Sequence, residues 1–253
     1  MALVIKYGGN AMTAPALRSA VAKEIRALAD EGFEPIVVHG GGPFIQKALD
    51  AAGLEHHFVR GLRVTTPESM PVIEEVLTVL NKELTQEIGA AVGLTGRDAG
   101  VLRAKTFDKQ LGLVGKMTGV NADLLSSLLA HGFIPVLACI AEDEQGAGVL
   151  NVNADEVAGA VAGSLNIPAL FLTDVAGVLD RPEDKTSLLS QLGTKEIRAR
   201  IADGRISGGM IPKVEAALYA LTQGAAYAVI ADGRDASTIR KAIKGLAGTK
   251  ISV

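Results

Sequence analysis

Three consecutive glycines, Gly40-Gly41-Gly42, separate the apolar, β-branched run Ile36-Val37-Val38-His39 from Pro43-Phe44-Ile45 and the Ala48-Leu49 pair. The run predicts a buried parallel strand, and a proline in the first turn predicts the helix that follows. Side chains at such a joint would hold a ligand off the backbone, whereas glycines let amide N–H groups approach an anion at the positive end of the helix. Gly41 and Gly42 therefore form a candidate anion cradle, although glycines also serve ordinary tight turns.

The first fifty residues repeat this design. Leu3-Val4-Ile5-Lys6 predicts a strand that breaks at Tyr7-Gly8-Gly9-Asn10, and Leu17, Val21, Ile25 and Leu28 then recur at helical spacing up to a stop at Gly32. Strand, glycines, helix, strand, glycines, helix is the alternation of a parallel sheet with crossover helices, whose ligands sit beyond the carboxyl ends of the strands. Lys6 lies at such an end. It needs either an anionic partner there or an escape to solvent.

Further along, Thr66 is a candidate N-cap and Pro67 a first-turn residue for a long helix over 67–88. Its apolar positions Ile73, Leu77, Leu80, Leu84 and Ile88 are joined by Val72, Val76 and Val79, a stripe too broad for one sheet face, so this helix is expected to make a homodimer contact. Ala91-Val92-Gly93-Leu94 resumes strand character, residues 101–120 suggest a hairpin excursion, and Leu124 to Leu129 mark a helix ended by Gly132. Phe133 to Ile140 is expected to be one buried strand with Cys139 as a small core residue inside it. Glu31-Gly-Phe-Glu-Pro-Ile-Val and His131-Gly-Phe-Ile-Pro-Val-Leu are alike, each a helix stop followed by a proline-led strand entry.

Asn153, Asp155 and Glu156 precede a helix of small residues, and capping and the helix dipole would account for them. A strand over Ala169–Thr173 meets Asp174 and Gly177. A polar stretch then holds a helix near Thr194–Ile201. Ser207-Gly208-Gly209-Met210-Ile211-Pro212-Lys213 opens another helix, and a lysine in its first turn calls for an anion nearby or for solvent. A strand over Tyr227–Ala231 and a helix over Ser237–Lys244 complete the chain.

Composition narrows the partners. With 253 residues, 48% hydrophobic, the chain has enough apolar content for a substantial core. A net charge of -3 with interspersed signs and 4% aromatics argues against nucleic acid. No apolar run nears the ~18 residues of a membrane span, and no signal-peptide core opens the chain, so a cytoplasmic location is expected. His56 and His57 lack further ligands at metal-binding spacing, and no metal site is expected.

Glycine-bearing strand exits, two lysines, asparagines and an aspartate together suit phosphate handling. There is no G-x-x-x-x-G-K-[ST] loop, and no G-x-G-x-x-G follows a strand. Phosphoryl transfer needs positioning and positive charge more than covalent help. Lys6 and Lys213 would supply the charge, Asp155 would hold both ammonium groups, and amides at Gly8, Gly9, Gly41 and Gly42 would bind the reacting groups.

In order along nearly the whole chain, Lys6-Tyr7-Gly8-Gly9-Asn10, His39-Gly40-Gly41-Gly42-Pro43, Gly61-Leu62-Arg63-Val64-Thr65, Asn151-Val152-Asn153-Ala154-Asp155, Thr173-Asp174-Val175-x-Gly177-Val178 and Gly208-Gly209-Met210-Ile211-Pro212-Lys213 resemble the motifs of the amino acid kinase family, specifically its acetylglutamate kinases. The resemblance implies an α/β three-layer sandwich with an open, mostly parallel eight-stranded sheet. It implies an N-terminal lobe over 1–167 for the acyl acceptor and dimerisation, and a C-terminal lobe over 168–253 for ATP. The implied reaction is ATP-dependent phosphorylation of the side-chain carboxylate of N-acetyl-L-glutamate, with Mg2+ carried by the nucleotide phosphates.

In that scheme Arg63 and Asn151 hold the α-carboxylate, with Asn153 beside them, and Gly41 and Gly42 hold the reacting end. Lys6 and Lys213 stabilise the migrating phosphoryl group with Asp155 orienting them. Gly8, Gly9, Thr173, Asp174, Gly177 and Met210 contact or border the nucleotide. Lys116 departs from the family, which often has an acid there. The extra N-terminal helix of arginine-inhibited members has no counterpart before the first strand, which implies insensitivity to arginine. Two alternatives remain at this stage: a related kinase of lysine biosynthesis acting on a carrier-linked aminoadipate or glutamate, and a non-catalytic ligand sensor on the same fold.

Overall fold

The structure, a computed structural model, describes residues 1–146 and 148–253, and of Asn10 and Ala11 it describes the backbone only. Asn10 of the first glycine motif thus has its side chain outside the described atoms.

The chain opens with β1 (Ala2–Tyr7), α1 (Pro15–Asp30), β2 (Glu34–His39), α2 (Gly42–Ala51), a short hairpin of β3 (Phe58–Val59) and β4 (Leu62–Arg63), α3 (Ser69–Ile88) and β5 (Ala91–Leu94). It continues through β6 (Leu102–Thr106), β7 (Val114–Val120), α4 (Ala122–Ala130), β8 (Ile134–Ala138), β9 (Ile140–Asp143), β10 (Val149–Val152) and α5 (Ala154–Leu165). The last third holds β11 (Ala169–Thr173), β12 (Gln191–Gly193), α6 (Thr194–Ala202), α7 (Met210–Thr222), β13 (Ala228–Asp232), α8 (Ser237–Ile243) and β14 (Thr249–Ser252).

Eight strands form one open sheet in the order β12-β14-β13-β11-β1-β2-β8-β5, and its pairings are parallel except for β13 with β14. Alternation along the strands divides the core. Leu3, Ile5, Val37, Leu170 and Val229 pack with α1 and α8 on one face, while Val4, Ile36, Val38, Phe171 and Ile230 pack with α5 and α7 on the other. The expected three-layer α/β architecture is present. β1 lies centrally, and its register sets Lys6 level with Val38 of β2 and Phe171 of β11. The carboxyl ends of β1, β2, β11 and β13 consequently open on one edge of the sheet.

Local signals behave as the residue types require. At the ends of α1 and α4, Gly32 and Gly132 take φ of +87° and +76°, and the N–H groups of Phe33 and Phe133 reach back to the carbonyls of Leu28 and Leu128. The two similar phrases are one helix stop used twice, and the strands that follow, β2 and β8, are sheet neighbours. The long helix α3 begins at Ser69 and not at the expected Pro67, with Glu68 at its N-cap position; Thr66 lies a turn ahead of it, where its Oγ1 accepts from Ser69 N–H, Ser69 Oγ accepts from Thr66 N–H, and the Thr66 carbonyl accepts from Met70 N–H.

Two expectations need correction. Phe133 to Ile140 is not one strand: β8 ends at Ala138 and β9 begins at Ile140 in a different sheet. Cys139 is a buried pivot between them, its carbonyl accepting from Val152 N–H, rather than an interior strand residue. The second sheet it leads into is a closed four-stranded barrel of β6, β7, β9 and β10, of which only the β6–β7 hairpin was legible as the 101–120 excursion.

α3 is tied to the sheet through a polar contact as well as an apolar one. His39 and Asn81 are both fully buried, and their side chains are hydrogen-bonded to each other. Burial pushes the His39 imidazole down from its ordinary 6.5 to about 4, so the ring is neutral in the folded protein. The unfolded chain takes up that proton at higher pH than the folded one. This contribution to stability is complete above pH 6.5 and is lost as pH falls towards 4. Replacing His39 with Gln should flatten the pH slope of unfolding free energy in that window by up to ~1.4 kcal/mol per pH unit. Urea midpoints of the two proteins at pH 7, 6 and 5 measure it, and equal slopes would contradict a neutral His39.

Candidate active site

Lys6 is the next-to-last residue of the central strand β1. Its Nζ lies 2.9 Å from Asp155 Oδ1, and the two side chains retain 16% and 33% exposure, so the ammonium has found a partner at the floor of a cleft without leaving water altogether. Asp155 is delivered by the first turn of α5, whose entry Asn153 caps by accepting from the N–H groups of Asp155 and Glu156 at 2.8 and 3.3 Å. α5 packs beneath β1 and β2, which brings this helix start to the strand ends.

Lys213 belongs to the first turns of α7 and reaches the same cleft. Its Nζ is 3.1 Å from Asp174 Oδ1 and 3.1 Å from the Gly209 carbonyl. The hydrogen bond from Lys213 holds the Asp174 carboxyl below its ordinary value. The expectation that Asp155 holds both ammonium groups is therefore corrected: Asp155 pairs with Lys6, and Asp174, one residue beyond β11, pairs with Lys213. Two carboxylates divide the task because the lysines approach the cleft from different elements.

The cleft encloses about 870 Å³ and is lined by Lys6, Gly8, Gly9, Asp155, Thr173, Asp174 and Lys213, with Gly42 and Arg63 at one end. A β-carbon on Gly8 would stand 3.4 Å from the Gly40 nitrogen, so the two glycine joints pack backbone against backbone. Gly41 has less room, since a β-carbon there would meet Leu77 Cδ2 at 2.8 Å, whereas one on Gly42 would meet nothing.

A second cavity of about 170 Å³ adjoins the first, sharing Gly42, Phe58 and Arg63, and adds Gly40, Gly41, Asn151 and Asn153. Its walls depend on the β3–β4 hairpin. Arg60 and Gly61 take φ of +52° and +78°, the left-handed pair that a two-residue hairpin turn requires, and this sets Phe58 opposite Arg63. The guanidinium lies 4.6 Å from the Phe58 ring centre, and Nη2 donates to the Gly42 carbonyl at 3.2 Å. Arg63 is 8% exposed, its Nη1 is buried with no hydrogen-bond partner among the described residues, and burial holds its pKa down.

A buried guanidinium nitrogen left unpaired costs free energy unless an anion meets it. Thr65 links this arginine to the barrel: its Oγ1 donates to the Arg63 carbonyl at 3.0 Å and accepts from Asn151 Nδ2 at 3.1 Å.

Two of the expected residues do not line either cavity. Gly177, at φ +145°, is packed so that a β-carbon would lie 2.6 Å from Thr249 Oγ1 and 2.8 Å from Leu188 Cδ1; its hydrogen suits the turn after β11. Met210 packs partly buried against the core at the start of α7. Conversely, Arg234 lines the large cleft and is held by Asp232 at 2.7 Å. The signal was present, since Asp232-Gly233-Arg234 is one more glycine-bearing strand exit. Phe58 carried no such signal, being an isolated aromatic in a polar stretch.

The comparisons agree with this geometry. The model of the amino acid kinase family matches residues 1–232. The chain is 54% identical over 250 residues to an acetylglutamate kinase of Deinococcus radiodurans, covering 98% of this chain and 99% of the relative. It is 45% identical to an acetylglutamate kinase of Thermus thermophilus, covering 99% and 98%. Among solved structures, smu.665 from Streptococcus mutans UA159 superposes with a TM-score of 0.79 at 29% identity, covering 99% of this chain and 98% of that one. A sheet with these strand exits, a cleft holding two paired lysines, and similarity along the whole length of named relatives have one common explanation: the chain belongs to the amino acid kinase family, among its acetylglutamate kinases.

Proposed function

We propose that this enzyme uses ATP to phosphorylate the side-chain carboxylate of N-acetyl-L-glutamate in arginine biosynthesis, giving N-acetyl-L-glutamyl 5-phosphate and ADP, and that the residues described above carry the reaction. A carboxylate oxygen forms the new bond to the γ-phosphorus while the bond to the ADP oxygen breaks. The observation that supports these roles best is that Lys6 and Lys213 line one cleft, each with a carboxylate partner of its own. Ammonium groups held there face the oxygens of the migrating group, where positive charge lowers the barrier.

The smaller cavity receives the acceptor. The unpaired Nη1 of Arg63 and the amide of Asn151 take the α-carboxylate, Asn153 stands beside them, and the first amides of α2, at Gly41 and Gly42, take the reacting end. Gly8, Gly9, Thr173 and Asp174 border the nucleotide phosphates. Gly177 and Met210 act only by shaping the segments behind them. The lobes follow from this: acceptor and dimer contacts within 1–167, nucleotide contacts largely within 168–253.

Magnesium travels with the nucleotide. The described residues form no group of three or more His, Cys, Asp or Glu side chains suited to hold the ion without phosphates. Carried there, it would neutralise charge between the phosphates. The location proposed is cytoplasmic; among the described residues no helix is long and apolar enough to cross a membrane.

A homodimer through α3 completes the reading. An open groove of about 680 Å³ between α2 and α3 is lined by Phe44, Val72, Val76 and Val79, the last 53% exposed. Exposed apolar surface of this kind on a helix is commonly covered by a partner.

Two experiments test these assignments. ATP and free N-acetyl-L-glutamate with hydroxylamine should yield a hydroxamate without any carrier protein, and Lys213→Ala should lower its rate ~10²-fold, the scale of a lost transition-state charge contact. Near-native turnover in the variant would remove Lys213 from the chemistry. Light scattering should give a dimer for the unaltered chain and a monomer for Val76→Glu; an unchanged mass in the variant would move the interface elsewhere.

A further inference from the structure

We propose that His39, locked in one ring tautomer by Asn81, is a positioning residue that aims the glycine cradle at the acceptor carboxylate; this deepens the site reading above and rests on it. The lock follows from hydrogen-bond chemistry. Asn81 Nδ2 lies 2.9 Å from the Val136 carbonyl oxygen of β8. A carbonyl only accepts, so the amide nitrogen and not the amide oxygen must face it. The second N–H of the same amide then points at His39 Nε2, 3.0 Å away, and Nε2 must accept. The ring proton is left on Nδ1, which lies 3.1 Å from the carbonyl oxygen of Gly40.

The consequence reaches the site through the planarity of one peptide unit. The carbonyl of Gly40 and the N–H of Gly41 belong to the same planar group and point in opposite directions. Holding the carbonyl therefore aims the N–H. Glycines on both sides of that unit leave it free to rotate, and a flipped peptide would present an oxygen to an anionic carboxylate where a donor is needed. Gly40 and Gly41 both line the acceptor cavity, while His39 and Asn81 lie fully buried behind it. His39 touches no part of the cavity itself; it acts on the cradle from the core side, with Asn81 carrying the constraint from α3 and β8.

Two substitutions, each keeping a polar atom at one ring-nitrogen position, separate this role from simple core filling. The amide nitrogen of asparagine stands as many bonds from the backbone as Nδ1, so His39→Asn keeps a donor for Gly40. Glutamine places its amide where Nε2 stood, so His39→Gln satisfies Asn81 and abandons Gly40. Loss of an oriented donor should cut kcat about 10-fold in His39→Gln with KM for ATP unchanged, while His39→Asn stays within about 3-fold of the unaltered enzyme. Nitrogen-15 NMR of the imidazole in the unaltered chain reads the lock directly, whether or not the variants fold, and should show Nδ1 protonated and Nε2 bare from pH 6 to 8.

A protonated Nε2, equal losses in the two variants, or a more active His39→Gln would each overturn the proposal. Failure of the unaltered chain to form any hydroxamate would instead count against the function proposed above, and the NMR result would still decide the tautomer.

Discussion

An ammonium group near the carboxyl end of a buried central strand has few places to go, and the pairing of Lys6 with Asp155 is how this chain accommodates one. Neither charge is deeply enough buried for the pair to be a strong source of stability, and neither is exposed enough to wander. Its value is geometric. β1 lies between β2 and β11, so Lys6 stands where the glycine exits of its neighbours converge, and Asp155 fixes the start of α5 to the same point. With that contact made, the strand exits and the start of α5 share a cleft that the starts of α2 and α7 also line.

The second lysine is held differently. Asp174 is 75% exposed on its side-chain atoms, so its pairing with Lys213 is screened by solvent and weakly held. Gly208, at φ +54°, precedes α7 and provides backbone freedom at the same joint. The site thus combines a charge pinned to the sheet with one carried on a helix start. Around the smaller cavity polar contacts join the elements, with Thr65 linking the hairpin to the barrel and His39 hydrogen-bonded to Asn81 behind Gly40 and Gly41.

Much of this was legible in the residues. The alternation of strands and helices, the glycine stops at Gly32 and Gly132, the Thr66 turn, the strand exits at Gly8 and Gly41 and the helix opening at Gly209 are local matters, settled within a few residues by dihedral preference and apolar spacing. That Lys6 stands at the cleft followed from the parallel strands, which bring their carboxyl ends together; Lys213 follows a helix and not a strand, and its signal was a lysine in the first turns of α7. The exposed stripe on α3 was equally visible from spacing, and Val79 stands out in solvent as that spacing required.

Other features could not be read that way. Whether Ile134 to Ile140 continues as one strand or turns at Cys139 into a barrel depends on pairing partners elsewhere in the chain, β2 for the first part and β10 for the second, not on propensity, since the whole stretch is apolar. The choice of Asp174 over Asp155 for Lys213 was likewise undetermined, because each acid has the right charge and only distance distinguishes them. Gly177 looked like a ligand contact until packing against Thr249 accounted for it. The chain's order of residues therefore settled which groups would be offered at the strand ends and what charge they would carry. Which of them meet, which nitrogen of His39 bears its proton, and which glycines serve a ligand were decided by folding, since those depend on distances between segments that no local pattern records.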